Sequence, residues 1–156
     1  MEDRQEDRLN DGPRARSTAA EFVKRFEQAW ARSSADAIVE LLTDDVVLKQ
    51  PSLPDTVGKA AAHEAFTQVF RAFPGLSATV HRWAADGDVV FIEFTLSGEF
   101  GGRRLSWPAV DRFFLHDGLI AERVNYADGG KLFVEILRRP RGWRRLLGSG
   151  LRPRLS

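Results

Sequence analysis

One strand-like stretch sets a carboxylic acid in an apolar row. In residues 103–116, RRLSWPAVDRFFLH, apolar and polar side chains alternate, and strand residues two apart share a face. Leu105, Trp107, Ala109, Asp111, Phe113 and Leu115 therefore fall together; five are apolar and the sixth is an aspartate. Facing a core, such a carboxyl loses hydration, which disfavours its charged form and raises its pKa. An acid kept neutral near pH 7 can donate a strong hydrogen bond to a developing oxyanion, or serve as general acid or base. Two other readings stay open on sequence alone. Asp111 pairs with Arg112, Arg123 or a nearby backbone N–H and ties the sheet together, or Pro108 forces a bulge that turns it outward.

No other residue offers comparable chemistry. His63, His81 and His116 are scattered, without His-x-His or His-Glu-x-x-His spacing, so no metal site is expected. The absence of cysteine excludes disulfides, thiolate nucleophiles and cysteine-ligated clusters. Ser33, Ser34 and Ser52 lack a nucleophile-elbow setting. The glycine pairs stand between strands rather than between a strand and a helix, so they are not phosphate loops.

The elements that must position Asp111 follow from periodicity. Ser17 and Thr18 offer N-caps to a helix with Phe22, Phe26, Ala29 and Trp30 on one stripe. A short helix begins near Ala35, and residues 46–50 form a strand that stops at Pro51. Residues 51–58 read as a loop. A third helix over 59–73 carries Ala62, Phe66, Val69, Phe70 and Phe73 on one face, and Pro74-Gly75 ends it. The period then changes to 2, with strands predicted at 77–85, 89–98, 103–116 and 119–126, separated by Asp86-Gly87, Gly101-Gly102 and Asp117-Gly118. Residues 132–137 are amphipathic and fit either helix or strand. Three helices followed by consecutive antiparallel strands make an α+β domain, with the helices on one face of a curved sheet.

The chain of 156 residues is about one domain's worth, with 43% hydrophobic and 29% charged residues, an ordinary globular balance. Residues 1–16 hold five acids, four arginines and one large apolar residue, Leu9, and read as a disordered tail. The domain spans 17–138. Residues 139–156 form an Arg-rich C-terminal tail, where Pro140, Gly142, Gly148, Gly150 and Pro153 work against a long helix. Trp143, Leu146 and Leu147 among those arginines either pack lightly on the body or form a basic amphipathic patch for a membrane surface or nucleic acid. A net charge of +1 predicts no nucleic-acid partner for the molecule as a whole. With no apolar h-region near the N-terminus and no apolar run of about 20 residues, a cytoplasmic protein is the expectation.

The order of elements and several local strings resemble the nuclear transport factor 2-like superfamily, in particular its SnoaL-like and ketosteroid isomerase-like branches. The resemblance covers about residues 18–138. It is carried by FVKRF at 22–26, LLTDDVV at 41–47, Gly58-Lys59, FPGL at 73–76, AVDRF at 109–113, DGLIAE at 117–122 and Tyr126-Ala127-Asp128. It implies a cone, in which a strongly curved, mostly antiparallel sheet wraps a long N-terminal helix around an apolar pocket. It also implies cofactor-free acid–base chemistry on small hydrophobic carbonyl or polyketide-like compounds, of the isomerase or cyclase type. Asp111 falls where ketosteroid isomerases place the aspartic acid that hydrogen-bonds the substrate oxygen.

The classical residue sets of the family's enzymes are not intact. Gln50 stands in place of the isomerase's general-base aspartate and Phe26 in place of its oxyanion-binding tyrosine. Glu93 and Thr95 fall where the epoxide hydrolases of this fold have an arginine and an aspartate, and Asn125 where they keep an acid. The expected catalytic residue is thus Asp111, without cofactor or metal. Phe26, Trp30, Gln50, Trp107, Arg123 and Asn125 are the expected substrate-binding residues. The alternative is a non-catalytic ligand-binding or dimerisation module. Val90, Ile92, Phe94 and Leu96 alternate with Val89 and Phe91, leaving apolar residues on both faces of one strand; this suggests a homodimer through the outer sheet face.

Overall fold

The computed structural model describes residues 12–50, 54–127 and 129–150. Most of the expected N-terminal tail, part of the 51–58 loop and the last six residues lie outside them. Among the described residues the chain forms α1 (Gly12–Ala31), α2 (Ala35–Val39), β1 (Leu42–Lys49), β2 (Thr56–Val57), α3 (Lys59–Ala72), β3 (Ser77–Asp86), β4 (Val89–Phe100), β5 (Arg103–His116), β6 (Leu119–Ala127), α4 (Gly129–Leu137) and α5 (Pro140–Gly148). The six strands make one curved, open sheet in the order β2-β1-β6-β5-β4-β3. Only β1 and β6 pair in parallel; the other neighbours are antiparallel.

The α+β architecture and the long N-terminal helix are as expected, but five helices replace the three that periodicity predicts. Residues 132–137 fall inside a helix, α4, and a further nine-residue helix, α5, forms from Pro140. Pro140 begins that helix, where its missing N–H had no intrahelical partner to lose. Two boundaries also move. Helix α1 starts at Gly12 rather than at the Ser17/Thr18 caps, with Pro13 tolerated in the first turn for the same reason. Strand β1 starts at Leu42, so Asp44 and Asp45 lie within it; the β1–β6 register shifts between Leu42 and Val47.

The core is the space between α1 and the inner face of the sheet. Ala19, Phe22, Val23, Phe26, Ala29 and Trp30 form the buried stripe of α1, the spacing of one helical face. Phe26 meets Phe94 of β4 and Phe113 of β5 edge-on, with ring centroids 5.5 and 5.6 Å away, the arrangement aromatic quadrupoles favour. Along β5 burial alternates without interruption from Leu105 to Leu115. The β4–β5 register runs unbroken through Thr95–Pro108, so Pro108 makes no bulge. Among the described residues, pairing with β6 starts at Ala109, one residue past Pro108. Gly101 and Gly102 both have positive φ (62° and 78°), the backbone of a type I′ hairpin turn that glycine adopts without strain.

Candidate functional site

Three polar side chains meet on the inner sheet face. Asp111 is fully buried, and Arg123 and Asn125 are each 7% exposed. The register sets Asp111 directly opposite Asn125 and puts Arg123 two residues further along the same face of β6. Arg123 Nε donates to Asp111 Oδ2 at 2.5 Å, and Asn125 Nδ2 donates to Asp111 Oδ1 at 2.6 Å. Both carboxylate oxygens are thus engaged. Of the three arrangements left open by the sequence, the geometry is the paired one, with Arg123 as the cation. Arg112 is excluded by parity: it faces outward and bonds Glu122.

An ion pair here has lost its hydration on both sides, a cost that Coulomb attraction and the extra amide bond only partly offset. The energetic consequence is interdependence. Either charge without the other is strongly unfavourable in this position, whereas the pair holds both side chains in one geometry.

The other side of Arg123 faces an apolar cavity of about 10 Å³, room for about one water molecule. Phe26, Trp30, Phe66 and Phe113 supply its aromatic wall, with Ile38 and Leu48 among the aliphatic residues. Arg123 is the cavity's charged lining residue. Chemically, the arrangement can hold a guanidinium, fixed by Asp111, at the wall of an otherwise apolar space.

Of the residues expected at the site, Phe26, Trp30 and Arg123 line the cavity, and Asp111 and Asn125 stand directly behind Arg123. Gln50 is half-buried and lies one residue past the end of β1, whose last pair with β6 is Lys49–Val124; it does not line the cavity. Trp107 faces inward but packs on Phe73, ring centroids 5.3 Å apart, and does not line the cavity. Ile38, Phe66 and Phe113 were legible only as core residues; helical and strand spacing marks an apolar face without distinguishing solid core from cavity wall. The histidines remain apart: His63 bonds Asp36 and His81 bonds Thr95, while His116 lies 3.6 Å from Asp117.

The opposite face of the sheet is apolar with paired charges. Phe91, Val110, Phe114 and Tyr126 are 37–55% exposed there. Glu122 accepts from Lys49 Nζ at 2.6 Å and from Arg112. The Lys49 hydrogen bond, with the Arg112 charge beside it, holds the Glu122 carboxyl below its usual range against the opposing effect of desolvation. Glu122 is therefore ionised at neutral pH.

Similarity to other proteins agrees with this architecture. The profile of the SnoaL-like domain matches residues 23–123. A protein of Jannaschia sp. CCS1, assigned by resemblance as a SnoaL-like polyketide cyclase, superposes with a TM-score of 0.69 at 23% identity, over 80% of this chain and 94% of that one. An LEH-like epoxide hydrolase of M. tuberculosis gives 0.66 at 24% identity, over 79% and 92%. TerC, crystallised with polyporic acid, gives 0.68 at 17% identity, over 78% and 98%. No functionally curated protein matches in sequence. At these identities the solved structures speak for the fold, and the profile match across the helix α1 to strand β6 region supplies the family: the chain belongs to the SnoaL-like domain family of the nuclear transport factor 2-like superfamily.

Proposed function

We propose that the cone interior takes a small hydrophobic carbonyl or polyketide-like compound and acts on it by cofactor-free acid–base chemistry of the isomerase or cyclase type. The observation that carries this reading is the buried Asp111–Arg123 pair on the wall of an aromatic cavity. In this reading Arg123 donates to the carbonyl oxygen. It thereby stabilises the negative charge that develops there when the neighbouring carbon loses a proton. Asp111 is its counter-charge. As the acid–base group it takes the proton from that carbon once substrate entry widens the cavity and frees one of its oxygens from Arg123 or Asn125. Asn125 fixes the carboxylate's orientation until then. Gln50 and Trp107 belong to the wider substrate-binding set, with Phe26 and Trp30 as the apolar wall.

A second reading, a non-catalytic ligand-binding module, is favoured by two specific observations. Asp111 is fully enclosed with both oxygens occupied, and the cavity must widen to admit anything larger than water. Deuterium exchange separates the two. Hydrophobic ketones and β-dicarbonyl compounds are incubated in D₂O with the protein, and NMR follows exchange at the carbon beside the carbonyl. The catalytic reading expects exchange faster than in buffer, and loss of that acceleration when Asp111 and Arg123 are replaced together by Leu and Met. Binding without accelerated exchange is the outcome for a non-catalytic module.

We further infer that a second copy of the chain covers the outer sheet face, since four large apolar side chains there flank the Lys49–Glu122–Arg112 cluster. Sedimentation at twice the chain mass of 17.5 kDa is expected. Tyr126→Glu shifts it to the monomer, and a parent protein that is strictly monomeric overturns the inference.

A further inference from the structure

The net charge of +1 conceals an uneven distribution. At one end of the molecule, α5 lies against the β4–β5 hairpin, where Arg139 Nη1 donates to Arg104 O at 3.2 Å. The close approach depends on Gly142, since a Cβ there would stand 2.5 Å from the Phe100 ring. Trp143 Nε1 donates to Ile136 O at 2.8 Å and ties α5 to α4. Buried Gly142 and half-buried Leu146 mark the inward side of α5.

The outward side is basic and apolar together. Arg138, Arg141, Arg144 and Arg145 are exposed, and Arg103 and Arg104 of the hairpin add to them. The acids at this end are Glu99 and Glu135: Glu99 faces Arg145 at 3.6 Å, and Glu135 takes Arg138 and Arg139. Among the described residues Arg141 and Arg144 have no acidic partner. Between these arginines Leu147 is 82% exposed and Trp143 40%, with Leu137 and Val134 of α4 exposed beside them.

We propose that this end is a docking surface for an anionic phospholipid bilayer. The arginines meet the lipid phosphates, and Leu147 and Trp143 enter the boundary between headgroups and acyl chains. The exposed leucine decides the class of partner: an acyl boundary stabilises it, whereas a nucleic-acid phosphate backbone contacts arginines and has no use for it. Among the described residues no helix is long and apolar enough to cross a membrane, so the mode is attachment in the surface plane. Placement of α5 by Gly142 and Trp143 means that the apolar and basic groups are already on one side before the membrane is met.

Cosedimentation with phosphatidylcholine vesicles, with and without phosphatidylglycerol, tests this on the full chain. Binding is expected to the anionic vesicles only, and to weaken as salt rises. Arg141→Gln with Arg144→Gln should lower the partition coefficient about 30-fold, from about 1 kcal/mol per arginine near the surface. Leu147→Ser should lower it about tenfold, the burial of one leucine side chain. All three side chains are exposed, so the unfolding midpoint stays that of the parent and serves as the control. Equal retention by both vesicle types overturns the proposal. So does an unchanged affinity on Leu147→Ser together with salt-sensitive binding to duplex DNA, which would assign the surface to nucleic acid.

Discussion

Asp111→Asn is expected to lower the free energy of unfolding by about 3–5 kcal/mol, because it leaves the Arg123 guanidinium buried without its counter-charge. Against a typical total of about 5–15 kcal/mol, this is a large share, so the comparison belongs in urea titrations at low temperature. The asparagine keeps the size and one acceptor oxygen of the aspartate; it removes the charge and turns an N–H donor toward either Arg123 Nε or Asn125 Nδ2. Asp111→Leu combined with Arg123→Met removes both charges, and buried pairs replaced by apolar residues are often neutral in cost or better. Here the double variant strands the Asn125 amide, which costs about 1–3 kcal/mol for an unsatisfied buried donor. The double variant should therefore be more stable than Asp111→Asn while lacking the polar anchor. That ordering separates structural loss from functional loss, which the single variant confounds. A single variant within about 0.5 kcal/mol of the parent, the range of ordinary surface changes, would show that the pair is not buried and charged as described.

The second large effect is expected at Phe26. Its ring touches Phe22, Trp30, Phe94 and Phe113, with centroids 5.5–6.3 Å away, and it lines the cavity beside Arg123. Phe26→Ala should cost about 3–5 kcal/mol, the lost transfer free energy plus the enlarged cavity. The enlarged space abuts the guanidinium, so a small aromatic carbonyl such as benzaldehyde should raise the variant's unfolding midpoint more than the parent's. A cost below about 2 kcal/mol, under the range for deleting a buried phenylalanine, without ligand stabilisation would mean that the neighbouring rings collapse into the gap. The cone would then be a solid core rather than the wall of a site.

Much of this arrangement was legible in the residues. The alternation along β5 put Asp111 on the inner face, and burial follows it residue by residue. The Phe22, Phe26 and Trp30 spacing gave the helix that packs on that face. What the sequence left open was the partner of Asp111, with Arg112, Arg123 and a backbone N–H all named. The β5–β6 register decides it: Asp111 opposite Asn125 brings Arg123 to the inner face, while Arg112, next to Asp111 on the same strand, faces outward. A register depends on the turn at Asp117-Gly118 and on a shift at Phe114/Leu115, neither of which a period-2 pattern encodes. The strand expected from 46 starts at Leu42 instead: Asp44 and Asp45 lie exposed where the β1–β6 register shifts, so no apolar alternation marks that part of β1. Helix α5 was hidden by Gly142, a poor helix former that is needed for contact with Phe100. Cavity size was beyond reach for a similar reason, since it depends on how the aromatic side chains tilt against one another.

The central claim is that Arg123, held by Asp111 and Asn125, is the polar anchor of an apolar binding space. Its most direct test is the ¹⁵N–¹H resonance of Arg123 Nε, followed by NMR during titration with hydrophobic ketones, β-dicarbonyl compounds and quinones. The account predicts a resonance protected from solvent exchange by the Asp111 bond. It also predicts that the resonance moves with at least one of these compounds, in step with a rise in the unfolding midpoint that the Asp111→Leu/Arg123→Met variant lacks. A resonance that no compound moves, or ligand stabilisation equal in the parent and the double variant, would contradict it.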